Sequence, residues 1–136
     1  MILFINTADI KKVTVALISI NAVLKKSFNA QYRQSEKLLI QINDLFLKSK
    51  LQKKKVSSVV VVTGPGPFTA LRIGIATANA LAYAWHLPIA GIKSDQLMQA
   101  KDFQTFIKLQ AKKAKIGKII SPFYGAEPNI TLKKIK

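Results

Sequence analysis

Three short runs of apolar and β-branched residues open the chain and predict strands. They cover residues 2–6, 13–20 and 23–28, and polar turn residues such as Asp9 and Asn21 separate them. Runs of this length bounded by turn residues are typical of antiparallel strands joined in sequence order. The first part of the chain therefore predicts a three-stranded meander.

A helical period replaces this pattern in the next segment. Leu38, Ile42 and Leu45 share one helical face within residues 34–50, which predicts an amphipathic helix. Residues 57–62 then form a continuous run of serine and valine. Such a run is typical of a parallel strand that is covered on both faces of its sheet.

The second half of the chain predicts a further crossover. A helix over about 69–86 is followed by a short strand at 89–92, and Pro88 separates the two. Ser94 or Asp95 is expected to cap a short helix after that strand.

The last predicted helix is basic and runs from Asp102 to Lys118, with Gly117 expected to close it. The full order is then a meander followed by strand–helix–strand crossovers. This order predicts an α/β fold, namely an actin-like ATPase (ribonuclease-H-like) half-domain. Its five-stranded mixed sheet is expected to carry helices on its faces.

Lysine gives this chain of 136 residues a formal charge of +16. A basic surface attracts phosphate polymers, although a lysine-rich composition can also serve solubility alone. The chain has no cysteine and one histidine, His86, so the sequence predicts no protein-built metal site. No run is long and apolar enough to predict a membrane span or a signal peptide, and the expected location is the cytoplasm.

Residues 63–67, Thr-Gly-Pro-Gly-Pro, join the valine strand to the following helix. A helix N-terminus with free amides can hold a phosphate, so Gly64, Pro65, Gly66 and Thr69 are the candidate nucleotide contacts. The loop lacks the Gly-Lys-Ser/Thr of a P-loop, and its two prolines remove two amide donors. A purely structural turn is the alternative interpretation.

The helix after this loop has unusually small side chains. Gly74, Ala78 and Ala82 recur at four-residue spacing, and after Arg72 the helix has no charged residue before its end. A helix that is apolar nearly all round favours burial on both sides. Two interpretations stay open: a partner protein docks on this helix and on helix 34–50, or the two helices merely pack against each other.

Groups that could act as an acid or a base are scarce. Six carboxylates are scattered along the chain, and no two form a convincing acid–base pair. Enzymes with the actin-like fold place a carboxylate at the end of the first strand, where this chain has the neutral amide of Asn6. The sequence therefore predicts no catalytic residue and argues against an autonomous enzyme.

Several segments resemble the TsaB (YeaZ) family. Residues 64–74, Gly-Pro-Gly-Pro-Phe-Thr-Ala-Leu-Arg-Ile-Gly, are similar to its motif Gly-Pro-Gly-Ser-Phe-Thr-Gly-Leu-Arg-Ile-Gly. Residues 2–7 resemble its Ile-Leu-Ala-Ile-Asp-Thr start, 33–39 its Arg-His-Ser-Glu-x-Leu-Leu helix entry, and 87–92 its Pro-x-x-Gly-Val strand. Residues 128–133 loosely resemble its closing Pro-x-Tyr-Leu-Arg segment.

The resemblance implies a role in making N6-threonylcarbamoyladenosine in tRNA. It implies a non-catalytic scaffold that binds the paralogue TsaD, with the ATPase TsaE also recruited and tRNA contacted only indirectly. ATP or ADP is then expected at the partner interface, and a homodimer is an option when the partner is absent. The family's interface corresponds here to helices 34–50 and 69–86. The candidate partner-binding residues are Leu39, Ile42, Phe46, Arg72, Ile73, Gly74, Thr77, Ala78 and Leu81.

Departures from the family pattern limit what it implies. They are Asn6 for Asp, Gln34 for His, Pro67 for Ser and Ala70 for Gly. Together they remove a charge, an ionisable ring, a hydroxyl group and some backbone freedom. These losses count against nucleotide or metal handling by this chain alone.

The resemblance leads us to expect that this sequence lacks most of the family's second domain. Residues 1–100 correspond to its actin-like N-terminal-type domain, and residues 101–136 are expected to be a basic helix and tail, a remnant of the second domain. Two alternative functions stay open. One is a basic RNA-binding module that presents tRNA, and the other is a small enzyme of the same fold, of glycoprotease or kinase type.

Overall fold

The computed structural model of the protein describes residues 1–29, 34–49 and 55–124. The loosely matched segment 128–133 lies outside the described residues. Within them, strands and helices follow one another in the predicted order. They are β1 (Ile2–Asn6), β2 (Lys12–Ile18), β3 (Val23–Asn29), α1 (Gln34–Ser49), β4 (Ser58–Gly64), α2 (Phe68–Ala84), β5 (Ile89–Lys93), α3 (Ser94–Gln99) and α4 (Phe103–Ala111).

The five strands form one mixed sheet in the order β3-β2-β1-β4-β5. β2 pairs antiparallel with both β1 and β3, whereas β4 pairs parallel with β1 and β5. The parallel pairs require crossovers, which α1 and α2 provide. The predicted α/β fold with a five-stranded mixed sheet and helices on its faces is confirmed.

Two apolar layers lie on the two faces of this sheet. The valines of β4 alternate between them, because Val59 and Val61 belong to the layer under α1 and α2 whereas Val60 and Val62 belong to the layer under α4. A strand that is covered on both sides favours apolar residues at every position. This accounts for the continuous valine run in the sequence.

α4 belongs to the same folded unit as the sheet. Ile107 is fully buried in the second layer, and Phe103 packs edge-to-face on Phe4 with ring centroids 5.1 Å apart. None of the helices in the described ranges is long and apolar enough to cross a membrane. The assignment of residues 101–136 to a second-domain remnant stays a prediction.

The predicted extent of the last helix is wrong. α4 ends at Ala111, and Gly117, with a φ of +83°, lies beyond the helix. Lys115 and Ile89 exchange backbone N–H···O bonds of 3.0 and 3.1 Å, so the chain leaves the helix to pair with the edge of β5. A longer helix would have withdrawn these groups from the sheet edge.

The predicted cap of α3 is also wrong. Lys93 occupies the cap position, and its backbone N–H donates to Gln96 Oε1 at 2.9 Å. The Ser94 hydroxyl instead donates to the carbonyl oxygen of Pro65 at 3.0 Å. Ser94 thus ties the start of α3 to the loop before α2.

Asp102→Ala should lower the melting temperature at neutral pH by a few degrees. Asp102 caps α4 by accepting the backbone N–H of Thr105 at 3.1 Å and the Thr105 hydroxyl. These bonds, above all the side-chain one, hold the pKa of Asp102 below its usual value of 3.8. A lowered folded-state pKa stabilises the fold above the unfolded pKa, and this contribution is lost as the pH falls through the folded-state pKa.

Thermal melts across the acid range test this prediction. Asp102→Asn is the matched control, since an asparagine keeps an acceptor for the N-cap and loses only the charge. It should retain most of the stability at neutral pH and show a weaker acid dependence. If the difference between Asp102→Ala and the parent stayed constant down to strong acid, the charge of Asp102 would have no part in the cap.

Candidate functional site

α1 and α2 lie side by side on one face of the sheet and contact each other. Phe46 of α1 meets Trp85, at the end of α2, edge-to-face with ring centroids 6.1 Å apart. Ile42, Phe46 and Ala78 are buried in the core layer that these helices share with the sheet. The three are therefore not available as exposed partner contacts, and the interpretation that the helices pack against each other holds for their inner faces.

Gly74 is occupied by a contact within the chain. A Cβ added at Gly74 would lie 2.6 Å from Cγ2 of Thr7, and closer still to Thr7 Oγ1. The buried hydroxyl of Thr7, just after β1, has no hydrogen-bond partner in the part of the chain that the structure describes. The glycine lets α2 approach the end of β1 closely, so Gly74 also offers nothing to a partner's side chains.

The outer faces of the two helices carry the remaining predicted contacts. Leu39 is 52% exposed on α1, Arg72 is exposed on α2, and three further α2 residues are half-buried. Those three are Ile73, Thr77 and Leu81. These five positions are compatible with the predicted partner binding, which the structure of the single chain does not test.

Two further apolar residues on α1 were missed by sequence reasoning. Ile40 is 62% exposed and Leu47 is 68% exposed, although both are large and apolar. They lie seven residues apart, off the buried stripe of α1, and this spacing could have revealed a second apolar face. We call Leu39, Ile40 and Leu47 the outer α1 face.

The loop before α2 is packed against other parts of the chain. Gly64 has a φ of +119°, and a Cβ there would lie 2.9 Å from Leu71 Cδ1 and closer to the carbonyl oxygen of Phe123. A Cβ at Gly66 would lie 2.7 Å from Ala8 Cα. Pro65, Gly66 and Thr69 are exposed whereas Gly64 is buried, and a nucleotide contact by these four residues stays a prediction.

Residues 119–124, which we call the strap, contact α2 near one end and this loop near the other. Asn79 of α2 holds the strap by two 3.0 Å hydrogen bonds, because its Nδ2 donates to the Ile120 carbonyl and its Oδ1 accepts the Ile120 N–H. Further along, the Phe123 N–H donates to the Thr63 carbonyl at 2.8 Å. Tyr124 stacks on Phe68 with ring centroids 4.9 Å apart. A lone asparagine in an apolar helix was the one sequence signal for this contact.

The position expected for a catalytic carboxylate has a structural role. Asn6 Oδ1 accepts the Ala8 N–H at 2.9 Å and so closes the turn after β1. His86 lies just past the end of α2 with a φ of +55°, and its N–H donates to the Tyr83 carbonyl at 3.3 Å. Across residues 1–29, 34–49 and 55–124, no group of three His, Cys, Asp or Glu side chains could hold a metal ion.

Fold and site together define an actin-like, ribonuclease-H-like α/β domain with an apolar helical surface on one face. Residues 28–108 match the family model described as "TsaD: tRNA N6-adenosine threonylcarbamoyltransferase". This match covers more than half of the sequence, and the chain belongs to that family. Within it, the chain is TsaB/YeaZ-like, as the sequence motifs predicted.

Three relatives illustrate the similarity. The "tRNA threonylcarbamoyladenosine biosynthesis protein TsaB" of Buchnera aphidicola is 30% identical over 122 residues, which cover 88% of this chain and 58% of that protein. The tRNA N6-adenosine threonylcarbamoyltransferase of Geotalea daltonii is 35% identical over 63 residues, which cover 46% and 18%. The structure of YeaZ from Pseudomonas aeruginosa superposes with a TM-score of 0.64 at 25% identity, covering 68% and 43%. The chain thus spans little more than half of the TsaB relative's length.

Proposed function

We propose that this chain is a non-catalytic subunit in the synthesis of N6-threonylcarbamoyladenosine in tRNA, and that it binds a TsaD-type protein. The names of the Buchnera and Geotalea relatives support the pathway. The observation that carries the partner assignment is the outer α1 face, whose three large apolar side chains are each more than half exposed. Several large apolar side chains exposed on one side of a helix are typical of interaction sites.

The surface beside the outer α1 face favours close approach of a partner. The exposed positions of α2 include Ala76 and Ala80, whose small side chains leave the helix backbone accessible, and Arg72 at one end. A helix with large side chains next to a helix with small ones forms a ridge beside a groove, and a second pair of helices can pack onto such a surface. Leu39, Ile73, Thr77 and Leu81 lie within this proposed interface.

Catalysis is assigned to the partner in this proposal. Asn6 closes a turn, and the Phe123 backbone packs against Gly64. Both observations support the proposal that ATP or ADP binds at the partner interface rather than in a cleft of this chain. TsaE joins through the same assembly, and residues 1–100 act as the N-terminal-type domain. Self-association through the outer α1 face is the competing use of this surface.

The experiment measures binding to the TsaD-type protein of the same organism by titration calorimetry. Leu39→Glu combined with Leu47→Glu should weaken binding by about a hundredfold or more. Burial of one leucine contributes roughly 1.5–3 kcal/mol, and about 1.4 kcal/mol corresponds to a tenfold change in Kd. Ala78 is unsuitable as a test site, since it is fully buried and its replacement would disturb the fold.

Ile10→Glu combined with Leu109→Glu provides the matched control. These residues are 78% and 51% exposed and lie in the turn between β1 and β2 and on α4, so the pair adds the same charge and removes comparable apolar area outside α1 and α2. It should bind the partner like the parent chain. Equal binding by the α1 variant, or no complex with the parent chain, would refute the proposal, and a homodimer broken by the α1 variant would assign the face to self-association.

A further inference from the structure

Five lysines lie in the last turn of α4 and in the segment that follows it. Lys112, Lys113, Lys115 and Lys118 are exposed, and Lys108 in the last turn of α4 is half-buried. The backbone pairing of Lys115 with Ile89 fixes this segment to the first residue of β5. We call these five lysines the basic band.

The basic band has little compensating negative charge. No Asp or Glu lies between Phe103 and Tyr124, and the ion pairs found among the described residues join Asp44 to Lys26 and Lys48 on another part of the surface. Asp102, at the opposite end of α4, is engaged with Thr105, and its electrostatic interaction with Lys108 offsets part of the charge of that one lysine. A cluster of cations with few counterions produces a positive potential that extends over about a Debye length.

A groove of about 710 Å³ adjoins the band where β1 and β4 begin. Lys108 and Lys112 are among the residues that line it. The groove and the basic band share Lys108 and Lys112 and therefore form one continuous surface that carries positive charge.

We infer that this surface binds the phosphate backbone of RNA without reading its bases. Lysine ammonium groups act as point charges for phosphates, whereas base reading relies on arginine forks and aromatic stacking. Neither arginine nor an aromatic residue belongs to the band or lines the groove. The choice of RNA as the polyanion rests on the proposed function, whereas the cationic surface itself does not.

The RNA surface is separate from the proposed partner interface. α4 covers one face of the sheet, and α1 and α2 cover the other. Lys118 lies at the α2 side of the band, where it lines a cavity together with Tyr83 and His86. The chain could therefore hold an RNA strand and a protein partner at the same time.

The experiment measures binding of an unmodified tRNA transcript to the full chain by fluorescence anisotropy, over about 50–200 mM salt. The test variant combines Lys112→Gln, Lys113→Gln and Lys115→Gln. Because each lost phosphate contact reduces the salt slope by about 1, the slope should fall by about 2–3, and Kd at low salt should rise by about tenfold or more. The control combines Lys11→Gln, Lys12→Gln and Lys101→Gln, which removes the same charge from exposed positions elsewhere. It should change Kd by less than about threefold.

Three results would overturn the inference. They are an equal loss in both triple variants, no tRNA affinity of the parent chain at the lowest salt, and displacement of tRNA by an equal charge of polyglutamate, which would indicate an acidic protein ligand. Binding to the TsaD-type protein is measured on the same samples. If the parent chain binds the partner but not tRNA, the RNA site is refuted. If it binds tRNA but not the partner, the proposed function is refuted.

Discussion

Gly74→Ala should destabilise the protein by about 1–3 kcal/mol, the range found for overpacked cores. Helix propensity predicts the opposite sign, because alanine in a helix interior is more favourable than glycine by about 0.5–1 kcal/mol. The packing term dominates here, since the added Cβ would lie 2.6 Å from Thr7 Cγ2 and 2.9 Å from Thr7 Cβ. Relief requires α2 to move away from the end of β1, where both elements are fixed by the core.

Denaturant unfolding followed by the fluorescence of Trp85, the only tryptophan, measures this loss. Thr7→Ala removes the two atoms that the new Cβ would meet first, so the double variant with Gly74→Ala should recover most of the stability. Ala76→Gly, on the exposed side of α2, is the control for propensity and should cost about 1 kcal/mol. A Gly74→Ala protein at least as stable as the parent chain would show that α2 has room at this position.

The strands and helices and their order along the chain were predictable because they depend on local periodicity. The run at 57–62 has no polar alternation, and the structure accordingly buries both faces of β4. The meander followed by crossovers leaves few topologies for five strands, and β3-β2-β1-β4-β5 is the one that the chain adopts. Strand and helix bounds shifted by only a few residues, apart from the end of α4.

The contacts that shape the candidate site were not predictable from local pattern. Gly74 meets Thr7, and Asn79 meets Ile120 across 41 residues of sequence. Lys115 leaves its helical pattern because a sheet edge offers it two backbone hydrogen bonds. Each of these choices depends on a distant segment, so propensity along the chain carries no information about it.

The small residues of α2 show how one pattern can serve two purposes. Gly74 and Ala78 are small because the sheet and the end of β1 come close, which the chain achieves alone. Ala76 and Ala80 are on the other side of the helix, and nothing within the described residues covers them. The sequence shows one continuous series of small residues, and the structure divides it into an inner half used for folding and an outer half open to a partner.

Asn79→Ala should lower the free energy of unfolding by about 2 kcal/mol and release the strap from α2. The substitution removes both hydrogen bonds to the Ile120 backbone, each worth about 0.5–1.5 kcal/mol, and leaves the amide and carbonyl of a buried residue without these partners. The Phe123 N–H bond to Thr63 and the stacking of Tyr124 on Phe68 depend on the course of the same segment. The loosening should therefore reach the loop at Gly64.

Amide hydrogen exchange separates local release from general destabilisation. In the Asn79→Ala protein, the Ile120 and Phe123 amides should exchange faster by more than the global stability loss explains, because local opening costs less than unfolding. Asn43→Ala, at an exposed position of α1, is the control and should change stability by less than about 0.5 kcal/mol. If the two amides kept their protection while the global stability fell, Asn79 would stabilise α2 itself, and the strap would be held by its contacts with Thr63 and Phe68.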